Sequence, residues 1–156
     1  MGLVPWWISH WALEPAFFGQ VSIPIAGAVL LGLGVIGLLD SFARFAVQGF
    51  GTPAPAFPTR RLVVTGLYRY VRNPMYLAVV STIVGQALIL GNGALLKYGG
   101  FVWLLFHAVV LIYEEPTLRA SFGSEYCAYC NGVRRWIPRF TAWSEPIGEN
   151  TKKTTV

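Results

Sequence analysis

The chain has 156 residues and a net charge of +5, with 54% hydrophobic residues and only 12% charged ones. A charged share about half that usual for soluble domains excludes an ordinary soluble globule, since a chain this short cannot hide so much apolar surface from water. The length suits one domain, and lipid is the solvent that fits this composition.

Residues 1–13, MGLVPWWISHWAL, are apolar but too short to cross a bilayer, and Pro5 interrupts them. They carry no basic residue and so do not read as a secretory signal. Trp6, Trp7 and Trp11 suit the headgroup-level aromatic belt, which predicts a short, shallow first helix. Phe17 to Leu39 has no charged side chain over 23 residues, enough to span a hydrocarbon layer of about 30 Å. Inside it GLGVIG, residues 32–37, matches GxGxxG. That fingerprint needs a strand before it and a helix opening at its end, so the nucleotide reading is rejected. Small residues here, Ala28, Gly32 and their neighbours, read instead as a face for close helix approach.

Residues 49–58, GFGTPAPAFP, are rich in proline and glycine and predict a helix-free connector. RRLVVTGLYRYVR follows as a compact polar and aromatic segment near the membrane surface. Asn73 is a good N-cap and Pro74 suits the first helical position, so a second helix starts there and runs to Leu90. Met75 to Leu90 is short for a full span. Gly91-Asn92-Gly93 turns the chain into a third apolar stretch, Ala94 to Tyr113, broken only by Lys97 and His107 and ending at Glu114-Glu115. Pro116 disfavours an α conformation at Glu115 and predicts a bend or break. Beyond it Leu118, Phe122, Tyr126, Tyr129 and Val133 recur at spacings of four, four, three and four, the stripe of an amphipathic helix lying on the bundle or the interface. The expected fold is an all-α polytopic membrane helical bundle with a helical hairpin and a C-terminal interfacial amphipathic helix. One domain covers residues 1–140, and 141–156 form a disordered cytoplasmic tail.

Of twelve Lys and Arg residues, eleven lie in Arg44–Arg72 or Arg119–Lys153, and Lys97 sits apart beside the GNG turn. The positive-inside rule makes the basic segments cytoplasmic, with the first long helix running inward and the hairpin going out and back. Anionic headgroups account for the net charge without nucleic acid. The expected location is a bacterial inner membrane with the functional face towards the cytoplasm. Cys127 and Cys130 lack the second ligand pair of a structural zinc site and read as small packing side chains, so no metal is expected.

GLYRYVRNPMYL, residues 66–77, gathers two arginines and three tyrosines in front of an apolar helix. The topology brings Arg69, Arg72 and that helix start to the face where Glu114 and Glu115 end the third helix. A helix start attracts an anionic group, and the glutamates accept from an ammonium or from ribose hydroxyls. Carboxylates at the membrane edge are costly unless paired or functional, so the set suits a zwitterionic ligand with a flat apolar part. The same residues are open to a second reading, in which the arginines bind lipid phosphates and the glutamates pair with them.

Gly66-x-Tyr68-x-x-x-Arg72-Asn73-Pro74-x-Tyr76, Glu114-Glu115, Phe122-Gly123-x-Glu125-Tyr126-x-x-Tyr129 and Val133-x-Arg135-x-x-Pro138 follow one another in order. Over roughly residues 60–138 this resembles the membrane methyltransferases grouped with isoprenylcysteine carboxyl methyltransferase and the phospholipid N-methyltransferases. The resemblance implies S-adenosyl-L-methionine as cofactor and methyl transfer to a lipophilic acceptor or lipid at the cytoplasmic membrane face. By position it implies a donor pocket of Leu62, Val63, Tyr68, Asn73, Pro74, Met75, Tyr76 and Glu114. Arg72, Asn73 and Glu114 are the implied catalytic set, and Arg134 and Arg135 flank the acceptor. The family usually has Arg-His-Pro where this chain has Arg72-Asn73-Pro74. Asparagine replaces one hydrogen bond of histidine but cannot titrate near neutral pH, which favours a positioning role there. Two alternatives stand beside this reading: an NADPH-dependent membrane reductase related to sterol reductases, echoed in Tyr129-Cys130 and Ile137-Pro138, and a non-catalytic lipid-binding membrane protein.

Overall fold

The computed structural model describes residues 3–11, 13, 20–47, 62 and 64–144. Its regular structure is entirely helical among these residues, as predicted: α1 (Leu3–Ser9), α2 (Ser22–Val47), α3 (Pro74–Leu90), α4 (Gly93–Val109) and α5 (Glu115–Gly132). A 3-10 turn at Gly66–Arg69 precedes α3, and a π segment at Val110–Glu114 joins α4 to α5. The connector at 49–58 lies outside the described residues.

α1 is the short first helix expected. Left-handed backbone at His10 (φ 46) and Trp11 (φ 56) ends it, and Ile8 rests against the main core. α2 has 26 residues, about 39 Å at 1.5 Å per residue, longer than the hydrocarbon layer. Among the described residues, two helical stretches are long and apolar enough to cross a membrane, Ser22–Arg44 and the run Gly93–Gly132. Only 17% of the first window and 22% of the second is buried inside the protein, so neither is the core helix of a soluble fold. Ile25, Leu33, Ile36, Phe101, Leu104 and Ile112 all face outward, where lipid rather than water must cover them. The chain is a membrane protein.

Glycine decides how α2 meets α3. A Cβ at Gly27 would lie 2.8 Å from the Gly85 carbonyl, one at Gly34 2.9 Å from the Ala78 carbonyl, and one at Gly85 2.7 Å from the Gly27 carbonyl. The close-packing face is therefore real, but it uses Gly27, Gly34 and Gly37, which are buried, rather than Ala28 and Gly32, which are exposed. Helical periodicity is the reason: positions 27, 34, 37 and 41 share a stripe that 28 and 32 do not.

α3 and α4 form the predicted hairpin. Gly91 closes α3 in the left-handed conformation (φ 68), and the Asn92 side chain caps α4 by accepting the Leu95 N–H at 2.9 Å. Their facing residues Val79, Ile83, Ala87, Leu90, Leu95 and Val102 make the main core. The break predicted before Pro116 takes the form of the π segment, where the Glu115 N–H reaches back five residues to the Val110 carbonyl. Widening the turn accommodates a proline that has no N–H to continue the ladder, and α5 then starts without a change of element. A sharper irregularity falls eight residues later at Gly123 (φ 50, ψ −121). α5 does carry the predicted stripe: Tyr126, Tyr129 and Val133 are buried and pack with Leu118, Phe122, Val64 and Trp143.

Candidate functional site

At one end of the bundle the 3-10 turn, the start of α3, the π segment and the segment after α5 converge. The Arg72 N–H donates to the Arg134 carbonyl (3.0 Å), the Arg139 N–H to the Tyr70 carbonyl (2.9 Å) and the Trp143 N–H to the Arg69 carbonyl (2.9 Å). Arg69 returns the last bond, its Nε donating to the Trp143 carbonyl at 2.7 Å. The Tyr129 hydroxyl donates to the Tyr68 carbonyl at 2.6 Å, and Arg139 Nη1 donates to the Gly132 carbonyl. The chain thus stays packed through Trp143, whose ring stands edge-on to Tyr129 at 5.5 Å. This moves the end of the packed part past residue 140, where a tail was expected, because an aromatic ring in that polar stretch found an apolar wall. Residues 145–156 lie outside the described residues.

The two glutamates are neighbours in sequence and divide the work. Glu115 is buried and holds two arginines: Arg135 forks onto it, Nε to Oε1 at 2.6 Å and Nη2 to Oε2 at 3.0 Å, while Arg72 Nη1 stands 3.2 Å from Oε1. Arg72 Nη1 also donates to Cys130 Sγ at 2.8 Å, which locks the start of α3 to α5. The Glu115 charge keeps the Arg135 guanidinium protonated beyond its already high range, through the hydrogen bond first. Glu114 faces the other way, towards Tyr68 and Tyr76, and the Tyr76 hydroxyl donates to its carboxylate. Its Oε2 is buried and has no hydrogen-bond partner among the described residues. Burial, and after it the Glu114 charge, push the Tyr68 phenol well above its ordinary range, so that hydroxyl stays neutral at any working pH. Phe106 of α4 stacks on Tyr76 with ring centroids 4.6 Å apart and walls the site on the apolar side.

Tyr68, Tyr76 and Glu114 are therefore brought together as the sequence reading required. Pro74 is buried at the first position of α3 and Met75 is half-buried beside it. Asn73 departs from expectation. It stands at the N-cap position, but its side chain makes no cap bond; its Nδ2 donates to the Arg135 carbonyl at 3.2 Å. The tertiary partner outcompetes the local one, which leaves the first-turn N–H groups of α3 uncapped by that side chain. Leu62 packs with the Tyr126–Val133 cluster, in which Glu114 and Tyr76 take no part. It lines a half-open cleft of about 350 Å³ with Val64, Thr65, Arg69, Glu125 and Trp143. Val63 lies outside the described residues.

Arg135, expected beside the acceptor, is instead committed to Glu115, because a buried carboxylate must be paired. Arg134 is exposed and contributes its carbonyl to Arg72. Arg72, expected in the catalytic set, stands in the same ion cluster behind Glu114, its Nε buried and unpartnered among the described residues. Trp143 and the Trp136–His107 pair, with Trp136 Nε1 donating to His107 Nδ1 at 3.0 Å, escaped the sequence reading. Both are contacts across long sequence separations, and the only available signal was aromatic residues in otherwise polar or mixed stretches.

Comparison with known proteins points in one direction. The profile of the phospholipid methyltransferase family matches residues 23–125. Protein-S-isoprenylcysteine O-methyltransferases A and B of Arabidopsis thaliana are each 28% identical to this chain over 134 residues, covering 85% of it and 60% of their own length. The chain thus spans about three fifths of the length of these curated relatives. No solved structure matches.

Proposed function

Because the chain belongs to the phospholipid methyltransferase family, we propose that it transfers a methyl group from S-adenosyl-L-methionine to a lipophilic acceptor at the cytoplasmic face of the membrane. The observation that carries this reading is the buried Glu114 Oε2, left without a hydrogen-bond partner among the described residues beside Tyr68, Tyr76 and the start of α3. A buried carboxylate oxygen with no donor costs on the order of 1–3 kcal/mol or more, which a ligand bringing an ammonium or hydroxyl relieves.

The residues present fit such a donor. The uncapped start of α3 at Met75 and Tyr76 offers N–H groups and a positive dipole end to a carboxylate. Glu114 accepts from an ammonium or from ribose hydroxyls. Tyr68, Tyr76 and Phe106 supply an aromatic wall and exclude water. When bound, S-adenosylmethionine supplies a sulfonium-activated methyl group, so the protein's task is alignment and exclusion of water. Arg72 and Asn73 act from behind the pocket by holding the start of α3 to α5 and the C-terminal segment. Asn73 does this through an amide donor alone, consistent with positioning rather than proton transfer at the place of the family histidine. A lipophilic acceptor would approach from the apolar outer face of α4, where Phe101, Leu104 and Leu105 are exposed. With Arg135 paired, Arg134 is left to meet an acidic acceptor or a headgroup. The basic bias of this end supports a cytoplasmic orientation, in the reading of the chain as a bacterial inner-membrane protein.

Calorimetric titration of detergent-purified protein with S-adenosylhomocysteine tests the reading. Saturable binding near one to one that is abolished in Glu114→Ala is the expected result. Unchanged affinity in that variant, or a folded wild type that binds NADPH and not S-adenosylhomocysteine, would overturn it.

A further inference from the structure

Near the end of α2 an ion pair sits against the 3-10 turn that precedes α3. Arg44 forks onto Asp40 one helical turn earlier, Nε to Oδ2 at 2.8 Å and Nη2 to Oδ1 at 2.7 Å. The two side chains are about a third exposed (32% and 29%), and an i,i+4 pair of that kind adds little to a helix by itself. Its neighbours give it more consequence. The Leu67 N–H hydrogen-bonds the Asp40 carboxylate. The Arg44 guanidinium lies flat over Gly66, so closely that a Cβ there would fall 1.9 Å from Arg44 Cζ, and Gly66 has φ 55. The Leu67 side chain reaches α2 as well, with Cδ1 3.8 Å from where a Cβ on Gly37 would stand.

The segment so held is the four-residue 3-10 turn Gly66–Arg69. A single turn of helix has no stability of its own, so its place is set by what it is attached to. Tyr129 and Trp143 hold its carbonyls on the α5 side, and Asp40 and Arg44 hold its start on the α2 side. Its third residue is Tyr68, whose phenol faces Glu114. Asp40 thus engages the N–H next to the residue that walls the pocket, and Arg44 fills the space that only a glycine leaves open.

We infer that Asp40 and Arg44 are positioning residues for donor binding, fixing the turn that presents Tyr68 to Glu114. This rests on the donor-pocket reading above. The carboxylate aligns Leu67, the planar guanidinium seats Gly66, and neither touches the ligand.

The test compares wild type, Asp40→Asn, Arg44→Gln and the reversed pair Asp40→Arg/Arg44→Asp, each as the full chain in detergent. Two quantities are read: affinity for S-adenosylhomocysteine by calorimetry, and the ligand-free thermal midpoint by tryptophan fluorescence. A pair that merely braces α2 recovers both on reversal. A positioning pair recovers the midpoint but not the affinity, since reversal presents an arginine to the Leu67 N–H and a short carboxylate to Gly66. We expect the single variants to bind about tenfold more weakly, the loss given by one misplaced polar contact, and the reversed pair to stay as weak. Single variants within about twofold of wild type, or affinity restored by reversal, would overturn the inference. If Asp40→Asn does not fold, Arg44→Lys carries the test: it keeps the charge but lacks the planar fork, and wild-type affinity in that variant overturns the inference equally. Failure of the wild type to bind S-adenosylhomocysteine would instead remove the donor reading, and this inference with it.

Discussion

Replacing Glu115 with glutamine takes one negative charge from between two guanidinium groups while leaving the shape of the side chain almost unchanged. The Glu115 side chain is only 8% exposed and that of Arg72 12%, whereas that of Arg135 is 29% exposed. Removing one partner of a fully buried ion pair costs about 3–5 kcal/mol, because the other charge is left unpaired away from water. Here Arg135 can turn partly to solvent, and glutamine retains a carbonyl acceptor, so the lower end applies, about 3 kcal/mol. For a chain of this size that lowers the thermal midpoint by roughly 6–12 °C. Tryptophan fluorescence reads the transition directly, since Trp136 adjoins Arg135 in sequence and Trp143 packs on Tyr129. Arg135→Gln is the internal comparison: it leaves Glu115 paired with Arg72 at 3.2 Å and removes the more exposed partner, so it should cost less. A Glu115→Gln midpoint within about 3 °C of wild type, or a larger loss in Arg135→Gln, would refute the view that Glu115 anchors this end of the bundle.

Glu114→Gln should leave the ligand-free midpoint unchanged or slightly raised, since it removes a buried charge with one unpartnered oxygen, while S-adenosylhomocysteine binding measured by calorimetry falls by about tenfold or more. Gly85→Ala places a Cβ 2.7 Å from the Gly27 carbonyl and should cost about 1–3 kcal/mol by prising α2 from α3; in the same melts Gly32→Ala, which meets nothing within 4 Å, should be neutral or stabilising by up to about 1 kcal/mol. Trp143→Ala should lower the midpoint by several degrees through loss of its contact with Tyr129; equal midpoints for Trp143→Ala and wild type would show that the segment contributes no packing.

Much of the architecture is legible in the order of residues, because local signals and lipid act on short stretches. A charge-free run of 23 residues, the Asn73-Pro74 start, the Gly91-Asn92-Gly93 turn and the four-four-three-four stripe each specify an element without reference to the rest of the chain. The motifs also named Tyr68, Tyr76 and Glu114 as companions. What lay beyond local reading was the partner each polar group would choose. Asn73 looks like a cap and bonds Arg135 across 62 residues. Glu114 and Glu115 are indistinguishable in sequence, and the π segment turns one towards the tyrosines and the other towards two arginines. The glycine stripe that seats α2 on α3 depends on which side of α2 meets Gly85. Periodicity and capping are properties of a few adjacent residues, and sequence alone determined them; pairing of buried charges and close backbone approach depend on which distant segments share a space, and only the tertiary structure decided them.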